Sequence, residues 1–254
     1  MSSFMSSSST DRVVSARVLG HRPDRHRIEL ATIRRIEDGV APDGSPVELY
    51  LRFPGAETAR LIDEAVPAGA TVLDLGCGVG RISGELVRLG HRVAGVDNSP
   101  DMLRHADNRG LETIEAEIQG LELGRHFDVV LLLSHFVNEA DDEHRHGYWR
   151  AAVNHAGPGG LVVVERFTAT WVRTVQPATT VAHGVETELH HLVHDGDVLH
   201  ARITYRIDGR AWTQSFDAIA LDDAVLDAEA ANHDLTRVRA LDDDGELILF
   251  CRPG

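Results

Sequence analysis

The chain has 254 residues, with 25 Lys and Arg against 40 Asp and Glu, a formal charge of −15. That length suits one large domain, or one with a small appendage, and 43% hydrophobic residues supply a sizeable core, which excludes wholesale disorder. The charge repels phosphate backbones and anionic bilayers, so neither nucleic acid nor a membrane is an expected partner.

Two cysteines, Cys77 and Cys251, exclude a disulfide framework. No wholly apolar run is longer than the five residues 129–133, far short of the roughly 20 residues of a spanning helix. The N-terminus, MSSFMSSSST, lacks the basic start and apolar stretch of a secretory signal. A cytoplasmic protein, monomer or homodimer, is the expectation.

Residues 1–24 are rich in Ser and Arg with little periodicity and read as a flexible tail. Apolar positions Ile28, Leu30, Ile33 and Ile36 predict a short helix over 25–38, broken by Pro42, Gly44 and Pro46. We read 25–56 as a helical lid region and 57–254 as the main domain. A helix over 57–66 ends at Pro67 and Gly69. Strand and helix then alternate: strands at 71–75, 91–96, 111–116, 127–133 and 161–164, helices at 81–89, 101–108 and 141–155. Ser99 caps the second of these helices, with Pro100 at its first position. The helix at 141–155 reads as polar and ends at Gly157-Pro158-Gly159-Gly160. Repeated βα units with strands apolar on both faces predict a doubly wound, mostly parallel sheet.

After Phe167 the pattern changes. Runs at 186–193, 198–207 and 211–219 read as strands separated by Asp195-Gly196-Asp197 and Asp208-Gly209. They form an antiparallel insertion after the fifth strand, bounded at 181–220. A helix at 222–231 and a hairpin of 235–241 with 246–252 close the chain.

The segment VLDLGCGVGRIS (72–83) sits between a strand and a helix. Gly76, Gly78 and Gly80 let the backbone approach a ligand at the carboxyl edge of the sheet. Asp74, just before the turn, can accept hydrogen bonds from a cationic amino group. A dinucleotide fingerprint would need glycine at position 81, which is Arg81. The second strand ends in Asp97, placed either to grip two ribose hydroxyls or to cap the next helix.

These two segments resemble the first and second motifs of the class I S-adenosylmethionine-dependent methyltransferases, VLDLGCGVGRIS and GVDNSPDML (95–103), over roughly residues 57–166. The resemblance implies a Rossmann-like fold with S-adenosyl-L-methionine as cofactor. It implies that Asp74 and Gly76 lie near the methionine part, and that Asp97, with Asn98 beside it, serves the ribose. Glu117 and Ile118 take the place of the acidic residue and apolar neighbour around adenine, with Glu where Asp is commoner. Ser134 lies where the family's backbone meets the cofactor. The antiparallel insertion resembles the small-molecule branch, where such an element roofs the acceptor pocket.

The acceptor side offers position only. His135 follows the fourth strand and is either a general base or a pocket histidine. Asn138 and Glu165 also follow strand ends and are candidate substrate residues. Tyr50 and Arg52 either form part of a lid or simply pack. Phe167, Trp171 and Trp212 line a cap or fill a core, with Trp171 the substrate candidate. Cys77 reads as a small packed residue. His183, His190, His191, His194 and His200 invite a metal site, but His190 and His191 should face opposite sides of one strand, and no ligand pattern flanks them; no metal is expected.

The expected activity is methyl transfer to an O, N or C atom of a small molecule. The rivals are a non-methylating isomerisation or cyclisation on the same cofactor, and a non-catalytic ligand-binding module.

Overall fold

The computed structural model describes residues 40, 41 and 44–254. The tail expected at 1–24, the helix expected at 25–38 and Pro42 lie outside them. Among the described residues no helix is long and apolar enough to cross a membrane.

Seven strands form one sheet: β1 (Thr71–Leu75), β2 (Arg92–Asp97), β3 (Glu112–Glu115), β4 (Phe127–Leu132), β5 (Ala156–Glu165), β10 (Thr236–Ala240) and β11 (Leu247–Cys251). Their spatial order is β10-β11-β5-β4-β1-β2-β3. The first five pair in parallel, while β11 joins β5, and β10 joins β11, in antiparallel fashion. The chain runs outward from β1 through β2 to β3, then returns to place β4 on the other side of β1. That reversal opens a crevice at the carboxyl ends of the strands, where open α/β sheets bind ligands.

Alternate residues of each strand feed opposite cores. Leu73, Leu75, Val130, Leu132, Val162 and Val164 pack on one side, against α5 (Asp142–His155) and α7 (Asp223–Ala231). Val72, Val129, Leu131 and Val163 pack on the other, against α2 (Ala56–Asp63), α3 (Ser83–Arg88) and α4 (Pro100–Asp107). Strands covered on both faces must be apolar on both, as β4 is. Ser99 caps α4 as expected, accepting from the Met102 N–H.

The helix expected to be polar, α5, is instead largely buried, with Tyr148 and Trp149 in the core. Two of its polar side chains, Arg145 and His155, are buried because they are paired. Arg145 donates to Glu229, Asp142 and the Glu139 carbonyl, while the ring nitrogens of His155 meet the Ala151 carbonyl and the Leu123 N–H. The strand after it begins at Ala156, through the glycines read as a loop.

A second sheet holds β6 (Ala178–Ala182), β7 (Val185–Asp195), β8 (Val198–Ile207) and β9 (Arg210–Ile219), antiparallel in that order. Strand β6 and the one-turn-and-a-half helix α6 (Ala169–Thr174) escape the sequence reading, being too short to show a period. The inner face packs Leu199, Ala201, Ile203, Tyr205 and Phe216 on Phe53, Phe167, α6 and α1 (Val47–Arg52).

His190 and His191 do not alternate across β7. His191 has φ +51° inside a register shift between His190 and Val193, and the two rings meet edge to face, centroids 4.8 Å apart. The bulge breaks the two-residue period on which the opposite-face expectation rests.

Candidate active site

The turn after β1 is built for close approach. Gly76, Gly78 and Gly80 sit at φ +77°, +54° and +70°, a region that glycine enters without cost. A Cβ on Gly76 would lie 2.6 Å from the Phe136 ring, so Gly76 is doubly required. The Gly76 and Cys77 N–H groups donate to the Val96 carbonyl, and Gly78 N–H to Asp97 Oδ2 at 2.9 Å. Asp97 Oδ1 accepts from Ser99 N–H at 2.9 Å. Asp97 therefore organises the turn and the helix start, as the capping alternative expects, and it also lines the cleft.

That cleft opens to solvent at the carboxyl ends of β1–β4, the edge where open α/β sheets bind ligands. Gly76, Gly78, Asp97, Asn98, Glu117, Ile118 and Ser134 all line it, together with Tyr50. Asn98 Nδ2 donates to Glu117 Oε1 at 3.1 Å, joining the ends of β2 and β3. Val79, Met102, Ala116 and Phe136, which escape the sequence reading, also line it, as do Ala41, Ser45, Cys77 and Arg81; Val79 lies inside the first motif and Met102 inside the second, the signal that marks them. Carboxylates suited to a ribose diol and an amino-purine edge stand beside apolar side chains suited to its ring. The donor set fits S-adenosylmethionine.

Two residues expected at the site, Asp74 and Gly80, do not line this cleft. Asp74 is buried beneath the turn, accepting from Ser83 Oγ at 2.6 Å. Burial pushes its carboxyl up to about 6, against the lowering effects of Ser83 and Arg81, with Asp97 and Glu165 adding to the rise. Gly80 faces α4, where a Cβ would meet Ala106 at 3.2 Å, so its smallness serves packing. Cys77 is buried, and desolvation, reinforced by Asp74 and Asp97, drives its thiol well above the ordinary range. It is no thiolate nucleophile.

Around the end of β4 lies a second cavity of about 290 Å³ that shares Ser134 and Phe136 with the cleft. His135 lines it, stacked on Phe167 with centroids 3.7 Å apart and planes 14° from parallel. Trp171 stacks on the same Phe167 at 4.3 Å, supporting the cavity from behind rather than lining it. Asn138 borders the cavity, but its amide is engaged: Nδ2 donates to the Phe167 and Ile219 carbonyls, and Oδ1 accepts from Phe167 N–H. It staples the two sheets together and has no donor left for substrate. Glu165 borders neither cavity; its Oε2 accepts from Ser134 N–H at 2.8 Å. Arg52 pairs with Asp208 in the β8–β9 turn, and Trp212 packs against the inner face of the second sheet. Among the described residues no group of three His, Cys, Asp or Glu side chains could hold a metal ion.

Comparison with known proteins agrees with this geometry. Residues 72–160 match the family described as Methyltransferase domain. A ubiquinone biosynthesis O-methyltransferase from Methylobacterium sp. (strain 4-46) is 30% identical over 180 residues, covering 62% of this chain and 68% of that protein. Among solved structures, an S-adenosylmethionine-dependent methyltransferase from Clostridium acetobutylicum superposes with TM-score 0.64 at 18% identity, over 81% of this chain and 92% of that one. The CcbJ methyltransferase from Streptomyces caelestis gives TM-score 0.68 at 20% identity, over 82% and 96%.

Proposed function

The chain belongs to the class I S-adenosylmethionine-dependent methyltransferases, and from that membership we propose that it methylates an O, N or C atom of a small molecule held between the strand ends and the antiparallel sheet. The observation that carries this reading is the pair of adjoining cavities, one fitted to the cofactor and one beside it, with Ser134 and Phe136 in the wall of both. When bound, S-adenosylmethionine supplies a sulfonium methyl group that is already an activated electrophile. The protein's work is then chiefly alignment, which can supply much of the acceleration.

In this reading Asp97 holds the ribose, Glu117 and Ile118 flank the adenine, and Gly76 and Gly78 let the backbone approach the methionine part. Tyr50, with Ser45 3.4 Å from its hydroxyl, closes the open side and excludes water. Ser134 and His135 present the acceptor side, and the sheet β6–β9 is the substrate cap. We also assign the protein to the cytoplasm, as a monomer or homodimer without nucleic-acid partners; the charge of −15 and two unpaired thiols support this.

The test is incubation with methyl-labelled S-adenosylmethionine and a low-molecular-weight cell extract, followed by mass detection. A labelled product heavier by one CH₂ unit is expected. A product isomeric with its precursor, without label, would overturn methyl transfer.

A further inference from the structure

The second cavity has a composition of its own. Its wall carries the rings of His135, Phe136, Tyr148, Phe167 and Phe216 and the carboxylate-bearing side chain of Glu139, which is 4% exposed. Glu139 Oε1 is fixed by the Asp141 N–H at 3.0 Å. The nearby guanidinium of Arg145 is directed to Glu229, Asp142 and the Glu139 main-chain carbonyl. Asp217 also borders the cavity, its Oδ1 2.7 Å from His200 Nδ1. No Lys or Arg lines this wall among the described residues.

Aromatic faces carry negative potential and attract cations, and a carboxylate inside a low-dielectric pocket adds to that attraction. A neutral or anionic acceptor gains from neither.

We propose that this cavity receives the ammonium end of a primary or secondary amine, with Glu139 as its counter-charge, so that the methyl group is transferred to nitrogen. The inference rests on the methyl-transfer reading above. An ammonium has no lone pair, so it first gives one proton to the His135 imidazole. The freed lone pair forms the N–C bond as the S–CH₃ bond breaks and its electrons stay on sulfur. The methylated ammonium then leaves as product, and His135 returns the proton to solvent.

The test uses the full chain saturated with S-adenosylhomocysteine, titrated with benzylamine and with its neutral isostere benzyl alcohol. Benzylamine should bind about tenfold or more tightly than the alcohol, the gain expected of a charge-assisted contact. Glu139→Gln should bring benzylamine down to the affinity of the alcohol while leaving S-adenosylhomocysteine affinity unchanged. Equal binding of the two probes, binding of neither, or a folded Glu139→Gln with unaltered benzylamine affinity would each overturn the proposal. If Glu139→Gln fails to fold, the comparison of the two probes on the native chain decides alone. Failure of the native chain to bind S-adenosylhomocysteine would instead count against the methyl-transfer reading itself.

Discussion

The Ser134 N–H donates to Glu165 Oε2 across 2.8 Å, so the end of β5 holds the end of β4. The held turn is a strained one. Ser134 and His135 lie at φ +58° and +60°, and each non-glycine residue there costs about 1–2 kcal/mol. Two such residues in succession persist only where their surroundings over-determine them, and this concentrates at functional sites. Glu165, the Asn138 N–H bond to the His135 carbonyl and the Phe167 stack are those surroundings.

Removing the carboxylate should therefore loosen the turn. Glu165→Ala is expected to lose about 1.5–3 kcal/mol of unfolding free energy, the range for a hydrogen bond to a charged group. Glu165→Gln keeps an acceptor oxygen and should lose less. Turnover should fall in both, while S-adenosylhomocysteine affinity changes little. Urea denaturation and calorimetry check this, and a folded Glu165→Ala of native stability would show that the turn holds itself.

The cleft proposed for the cofactor is legible in the sequence because its signals are local. Gly76, Gly78, Asp97 and Glu117 each lie within a few residues of a strand end, and strand ends are visible in the sequence. The acceptor half is made by contacts across long separations, such as Asn138 with Phe167 and Ile219. A sequence shows that Asn138 follows a strand, but not that its amide is already engaged. Glu165 and Asp74 mislead for the same reason: a carboxylate at a strand end looks alike whether it faces a ligand, a hydroxyl or a backbone N–H. Buried α5 reads as polar because Arg145 and His155 count as polar until their partners are known.

Asp97 holds the turn together and is proposed to hold the ribose, so its loss should show both. Asp97→Ala is expected to weaken S-adenosylhomocysteine binding by roughly 1–3 kcal/mol, and to lower stability as well, since the Gly78 and Ser99 N–H groups lose their acceptor. Asp97→Asn, which keeps one carbonyl oxygen, should fall between. Calorimetry on variants whose folding is verified by circular dichroism measures it. Native affinity in a folded Asp97→Ala would remove this residue from the cofactor site.

Asp74 should make stability fall as pH rises. Its folded value, about 6, lies above the ordinary 3.8, so its contribution is fully present below about 3.8 and is lost as pH climbs through 6. A rise of that size corresponds to a loss on the order of 2–3 kcal/mol. Asp128, Asp222 and Asp223, whose carboxyls are lowered by Thr71, Arg173 and Arg166 respectively, slope the other way. Subtracting an Asp74→Asn variant isolates the effect, because Asn still accepts from Ser83 Oγ. Unfolding free energies at pH 4, 5, 6 and 7 should show the variant gaining on the native chain across this window. Parallel curves would mean that Asp74 titrates normally.

The last prediction concerns His135. Its backbone is fixed by the strained turn, its ring is clamped face to face on Phe167, and it lines the cavity beside the cofactor cleft. A side chain immobilised in this way is oriented before substrate arrives, which is what a base or an orienting partner requires. His135→Ala should cost roughly 10²–10⁴-fold in kcat if the ring removes a proton. His135→Asn is the sharper control, since Asn tolerates this left-handed backbone and so keeps the turn while removing the base. Cofactor affinity should survive both changes, because Asp97 ends β2 and Glu117 follows β3, away from this turn. Raising the pH should restore turnover in both variants, as the acceptor then loses its proton without help. A loss that pH does not rescue would leave His135 as an orienting group, and near-native turnover in both variants would remove it from the chemistry.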